Sequence, residues 1–204
     1  ASGAARVLFL LLSPFYTSVT TGNYIAVART YLEKTSLPMP VGFIHSWYRE
    51  PLFIGSWAEK IKNESFDEQA CYLFSAHSLP MKYSDEPYRR QIEEAVEMVA
   101  FRAGIRNHAL GWQSIPHNVS EPWLTPTVEE KIAEISSAGF RSVIQVPIGF
   151  TADHIETLYD IDITHRQYAI GKGLSFRRIT SLNAGGSFIK ALGEIVIHSK
   201  ADEQ

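Results

Sequence analysis

The sequence predicts an α/β fold, a mostly parallel sheet flanked by helices. Short apolar runs rich in β-branched residues recur at 7–12, 41–46, 70–76, 109–113, 143–148 and 176–179. Longer amphipathic stretches separate them and stop at Gly or Pro, the alternation expected of strands joined by crossover helices. The runs are almost continuously apolar, which suits strands buried on both faces. At 204 residues the chain is one ordinary domain or two small ones, long enough to bury a core.

Residues 7–12 read as the first strand, ending at Ser13-Pro14. Thr20, Thr21 and Gly22 lead into a helix over 23–34. Backbone N–H groups there could meet an anion, and helix capping accounts for the same residues. Pro38 and Pro40 break that helix ahead of strand 41–46. Glu50-Pro51 opens a helix over 52–63, with Pro51 suited to its first turn. Strand 70–76 closes on His77-Ser78-Leu79-Pro80. Asp85 and Pro87 precede a long helix to Ala103, which Gly104 stops. Strand 109–113 runs into a proline-punctuated loop over 114–126, then a helix over 128–138 ended by Gly139. After strand 143–148 come an acidic helix, a helical piece around Arg166, strand 176–179 and a closing helix over 188–198. The chain shows no internal repeat and no low-complexity tract.

The stretch over 143–162 carries the densest chemistry. On a helix Asp153, Glu156 and Asp160 fall at i, i+3 and i+7, so three carboxylates share one stripe. Ile155, Leu158 and Tyr159 then lie on the other side, toward a core. A solvated acidic face accounts for this stripe as well as a ligand site does. In open α/β sheets ligands gather at the carboxyl ends of the strands, where this helix begins. His77 ends an apolar strand and belongs to the same edge, as a hydrogen-bonded structural residue or as a pocket base. His154 and Glu156 are two residues apart and diverge by about 200° on a regular helix. Only a local widening such as a π-bulge would bring both to one cavity, so His154 reads as a supporting or packing residue. Trp112 and Trp123 would suit a flat aromatic ligand or simply pack. Trp47, Tyr48 and Trp57 read as packing residues.

Bulk properties narrow the class. Hydrophobic residues make up 45% and charged ones 20%, the composition of a soluble globular protein. A net charge of −3 gives no electrostatic case for nucleic acid or an anionic membrane. The single cysteine, Cys71, forms no internal disulfide and points to a reducing compartment, the cytoplasm. The longest apolar stretch, 7–12, is too short to span a bilayer and lacks a secretory signal's layout. The chain begins at Ala1 and enters an apolar strand almost at once, as a processed or partial chain would. No dinucleotide or P-loop glycine fingerprint and no nucleophile elbow is present.

Four segments, in order along nearly the whole chain, resemble ferrochelatase, the family that inserts ferrous iron into a porphyrin in haem biosynthesis. They are Phe74-Ser75-Ala76-His77-Ser78-Leu79-Pro80 with Asp85-Glu86-Pro87-Tyr88 after it; Gly111-Trp112-Gln113-Ser114; Glu121-Pro122-Trp123-Leu124-Thr125-Pro126; and the run from Pro147 to Asp160. Ser46-Trp47-Tyr48-Arg49-Glu50-Pro51 is most similar to enzymes of Gram-positive bacteria, whose substrate is coproporphyrin III rather than protoporphyrin IX.

The resemblance implies class II chelatase-like lobes with the porphyrin between them. It assigns His77 and Glu156 as the catalytic pair and as metal contacts, and Asp160 as the next carboxylate on an escort path. Trp123 and Tyr16 would line the porphyrin cleft, with His154 and Asp153 in support of Glu156. No separate cofactor is required, because Fe(II) is a substrate; oxygen and nitrogen ligands would also admit Zn(II) or Co(II). The lone cysteine leaves no ligand set for the iron–sulfur cluster of some relatives. Thr164 stands where a further carboxylate is usual. Residues 1–22 resemble only the end of the N-terminal lobe, and 23–204 the C-terminal lobe. A longer native protein, a partner chain supplying the missing lobe, or a non-catalytic porphyrin-binding remnant are the corresponding expectations.

Overall fold

A computed structural model of the chain describes residues 3, 5–35, 39–116, 118–198 and 202–203. Pro38, expected to break the first helix, lies outside the described residues. Two sheets organise the rest. The smaller holds β1 (Val7–Leu10), β2 (Val41–Ile44) and β7 (Asp202–Glu203) in the order β1-β2-β7. β1 and β2 are parallel, β7 antiparallel, and the sheet crosses the expected segment boundary at 22/23. The larger sheet holds β3 (Cys71–His77), β4 (His108–Gln113), β5 (Ser142–Val146) and β6 (Ser175–Arg178). Its order is β4-β3-β5-β6 and every pair is parallel.

That order places the site. The connection leaving β3 goes to one side, to β4, while the one leaving β5 goes to the other, to β6. The strand order therefore reverses between β3 and β5, and an open crevice forms beyond their carboxyl ends. His77 ends β3, and the 147–156 segment leaves β5.

Helices cover both faces of the larger sheet. α2 (Pro51–Ser65), α3 (Tyr88–Ala103) and α7 (Gly186–His198) pack on one side. α4 (Val128–Ser137) and α6 (Arg166–Gly171) pack on the other. β3 serves both cores through its two-residue period: Tyr72, Phe74 and Ala76 face the first, Cys71 and Leu73 the second. Fully buried Leu73 and Phe74 contribute about 1.5–3 kcal/mol each, so β3 is held from both sides and its last residue has a fixed origin. Trp47, Tyr48 and Trp57 lie in the first core, as expected, and Trp47 meets Phe53 edge-on at 5.0 Å.

The helix ends follow local chemistry. Pro51 occupies the first turn of α2. Thr127 and Glu130 close a reciprocal capping box on α4, with Glu130 N–H donating to Thr127 Oγ1 at 3.1 Å and Thr127 N–H to Glu130 Oε2 at 2.7 Å. Gly104 caps α3 at φ +78°, where a side chain would be strained. α1 (Asn23–Thr35) does not start at Thr20–Asn23 as a free N-terminus. A π-helical turn, Ser18–Gly22, runs into it, and Glu86 accepts hydrogen bonds from the Ser18 N–H and hydroxyl. That carboxylate sits at the start of the π-helical turn, while the Gly22 N–H donates to the Thr17 carbonyl and the Asn23 N–H to the Thr20 carbonyl. Among the described residues no helix is long and apolar enough to cross a membrane.

The acidic helix is built in three parts. α5 (Ile155–Tyr159) passes into a π-helical segment, Asp160–His165, and then into α6 without a break. The widening thus lies after Asp160, not between His154 and Glu156. The apolar side of α5 is not in the core: Ile155 is 81% exposed, Tyr159 58% and Leu158 42%. The core contacts of this helix come from Ile161 and Ala169 further along.

Candidate active site

His77 is fixed from behind. Its Nδ1 lies 2.5 Å from the Ser78 carbonyl oxygen, which can only accept, so Nδ1 carries the hydrogen. In the neutral ring Nε2 is then the open lone pair, and it faces Glu156 Oε1 at 3.7 Å. Both side chains are about one-third exposed, at 39% and 34%, so they line a cleft rather than a sealed core. Tyr88, buried beneath, donates its hydroxyl to the His77 carbonyl at 3.0 Å. Burial, and then the Glu156 charge, push the Tyr88 phenol far above its ordinary range, so it remains a donor.

Glu156 and Asp160 stand one turn apart, and Ser114 joins them. Its Oγ lies 2.6 Å from Glu156 Oε1 and 2.7 Å from Asp160 Oδ2. Ser114 directly follows β4 at φ +64°, a left-handed conformation uncommon outside glycine. It was not among the candidate residues read from the sequence. It stands at the carboxyl end of β4, next to Gln113, which pairs with His77 in register.

Asp153 does not join that line. It precedes α5, and its carboxylate is held by Arg178 Nη1 at 2.7 Å, the Asn183 amide at 2.8 Å and the Ser181 N–H at 3.2 Å. Burial alone would raise its pKa; these bonds and the Arg178 charge outweigh it and hold the carboxyl below its usual range. Arg178 also grips Asp162 at 2.8 and 3.0 Å. The expected three-acid stripe is thus a pair. Among the described residues no three His, Cys, Asp or Glu side chains converge to cage an ion.

The remaining candidates divide. Trp123 is half-buried with its ring 6.4 Å from that of His77, and its neighbour Leu124 donates to the Leu79 carbonyl at 2.8 Å. Trp112 is a core residue, 2% exposed and packed 5.9 Å from Tyr88. Tyr16 lies beside His45, ring to ring at 6.0 Å. His154 stacks edge-on against Phe150 at 5.2 Å, and its N–H donates to Thr157 Oγ1 at 2.9 Å to start α5. Among the described residues, none of its hydrogen bonds is to Glu156. Cys71 is buried, which pushes its thiol up to about 11 and leaves it unsuited as a nucleophile.

Close packing holds the two sides of the cleft together. A Cβ on Gly149 would meet Ala76 Cβ at 2.7 Å and Cα at 2.8 Å, so the segment leaving β5 lies directly on β3. The Thr151 hydroxyl donates to the Leu12 carbonyl at 2.8 Å, which ties the same segment to the end of β1.

A family model described as Ferrochelatase matches residues 1–200. The "Coproporphyrin III ferrochelatase" of Geobacillus sp. (strain WCH70) is 35% identical over 96% of this chain and 65% of its own length. The "Ferrochelatase" of Geotalea uraniireducens is 37% identical over 98% of this chain and 65% of its own length. The chain therefore spans about 65% of the length of these curated relatives. Among solved structures, SirB from Bacillus subtilis with Fe3+ superposes with a TM-score of 0.72 at 10% identity, covering 96% of this chain and 71% of that one. At that identity the likeness is one of fold, a parallel sheet flanked by helices as the sequence predicts.

Proposed function

The chain belongs to the ferrochelatase family, and from that premise we propose that it inserts Fe(II) into a porphyrin. The observation that carries the reading is the open Nε2 of His77 facing Glu156 Oε1 at 3.7 Å over the switch point of the larger sheet. Metal insertion needs such a pair. Two pyrrole N–H protons leave as one Fe²⁺ enters, so the macrocycle exchanges two positive charges for two and the protein must receive the protons. His77 Nε2 takes one as general base, and Glu156 is the acceptor across the cleft. Asp160 stands behind Glu156 as the carboxylate the metal meets first. Carboxylate and imidazole also suit Zn(II) and Co(II) as alternative metal substrates.

Coproporphyrin III is the favoured porphyrin, supported by the relatives that carry that substrate in their names. Trp123, beside His77, is the aromatic surface best placed to meet the macrocycle. Anaerobic insertion assays with coproporphyrin III and protoporphyrin IX test the reading. Turnover of the first above the second is expected; no metallation of either porphyrin overturns it.

A second reading is favoured by one observation. Tyr24, Val27 and Tyr31 form a stripe on α1 that is 63–66% exposed, and Ile155 and Tyr159 are exposed beside the cleft. Such surface suits a further lobe, from the same protein or a partner chain, without which the site only binds porphyrin. Porphyrin binding without metallation by this chain alone, followed by turnover when that lobe is supplied, would select it.

A further inference from the structure

We propose that Ser114 is a positioning residue that governs the hand-over of the metal substrate from Asp160 to Glu156, an inference that rests on the metal-insertion reading above. Its hydroxyl oxygen lies within 2.6 Å of Glu156 Oε1 and 2.7 Å of Asp160 Oδ2. A hydroxyl carries one hydrogen, so it donates to only one of these acids at a time. The other acid then keeps a lone pair turned toward the same oxygen, a contact that a cation on that acid relieves. Rotation about the Cβ–Oγ bond moves the hydrogen between the acids without displacing any heavy atom. Metal on Asp160 therefore goes with the hydrogen on Glu156, and metal on Glu156 with the hydrogen on Asp160.

Two further observations fit this role. The Glu156 oxygen that accepts from Ser114 is Oε1, the same atom that faces His77 Nε2 at 3.7 Å. Turning the hydrogen to Asp160 frees that oxygen at the moment the catalytic pair needs it. Ser114 also holds φ +64°, a conformation a serine adopts at a cost. That conformation sets the hydroxyl between the two acids, where a relaxed backbone would carry it elsewhere.

The test is a titration of the full chain with Co²⁺ alone, followed by its visible absorption, with thermal midpoints measured in parallel. Ser114→Gly removes the hydroxyl while suiting the left-handed backbone. It is expected to weaken Co²⁺ binding about tenfold, the effect of losing a hydrogen bond to a charged group, with no fall in thermal midpoint. Ser114→Asn tolerates the same backbone and restores a donor, so it should recover most of the affinity. Equal affinity of wild type and Ser114→Gly, or an Asn variant no better than Gly, overturns the role of Ser114 and leaves the metal reading standing. A Gly variant whose thermal midpoint falls along with its affinity makes Ser114 merely structural and also counts against the role. Wild type that binds no Co²⁺ overturns both.

Discussion

His77 donates its Nδ1 hydrogen to the carbonyl of Ser78 at 2.5 Å, the next residue in the chain. Ser78 is itself tethered at two points: its N–H donates to the Gln113 carbonyl at 2.8 Å and its hydroxyl to the Leu124 carbonyl at 2.9 Å. The tautomer of the imidazole is thus set by backbone that the sheet and the Trp123 loop hold in place. His77→Ala should leave the thermal midpoint nearly unchanged, because the side chain is 39% exposed. Metal insertion should fall by about 10²-fold or more, the range of a lost general base. Unaltered turnover in the anaerobic assay would remove His77 from the mechanism.

Arg178 is the opposite case, a charged residue whose task is structural. It holds Asp153 and Asp162 together at 2.7 and 2.8 Å, and its side chain is only 10% exposed. Arg178→Met should cost about 1.5–3 kcal/mol, as lost bonds between charged groups do. Urea unfolding measures it. The pH dependence has a definite sign. The folded Asp153 carboxyl lies below its ordinary range, so its contribution is present above pH about 4 and is lost as pH falls through the folded value. The Met variant should lose the share of that acid sensitivity that Arg178 supplies, while the Asn183 and Ser181 bonds to Asp153 keep theirs.

His165 gives stability an additional slope at milder pH. It sits in the π-helical segment with its side chain 3% exposed, and its Nδ1 has no hydrogen-bond partner among the described residues. Burial lowers its pKa, against the pull of Glu129 and Asp160. Below the ordinary histidine value of about 6.5 the unfolded chain takes up a proton that the folded chain refuses. Stability therefore falls as pH drops through that value, by at most about 1.4 kcal/mol per pH unit, and levels off below the folded pKa. Urea midpoints between neutral and mildly acidic pH should show this slope, and His165→Leu should flatten it.

Much of this was legible in the chain because local rules and global fold agree. The apolar runs at 70–76 and 143–148 became β3 and β5, and both cores confirm why they carry no polar alternation. His77 and Glu156 could be placed at one sheet edge because His77 ends β3 and Glu156 lies in the first turn of the helix that follows β5. The acidic stripe misled where a distant residue intervened. Asp153 has helical spacing to Glu156, yet Arg178, on β6, holds it before the helix begins. Ile155 and Tyr159 looked like core residues by the same period, but the core is already filled by Ile161 and Ala169 after the helix widens. Ser114 escaped notice since its effect depends on a left-handed φ that no residue type announces.

Gly149 links packing to the site most directly. Its N–H donates to the Ser75 carbonyl at 3.1 Å, and its α-carbon lies so close to Ala76 that any added Cβ would fall 2.7–2.8 Å from Ala76 atoms. Ala76 is fully buried and precedes His77, so it has nowhere to go. Gly149→Ala must therefore push the segment leaving β5 away from β3, at about 1–3 kcal/mol for an overpacked core. Glu156 rides on that segment while His77 stays on β3, so the 3.7 Å separation between them should widen. The expected result is a loss of metal insertion larger than the loss of stability alone explains. Adding Ala76→Gly removes the nearer of the two contacts and should recover part of both. If the double variant is no better than Gly149→Ala by thermal midpoint or by turnover, the contact between these two residues is not what holds the cleft at its width.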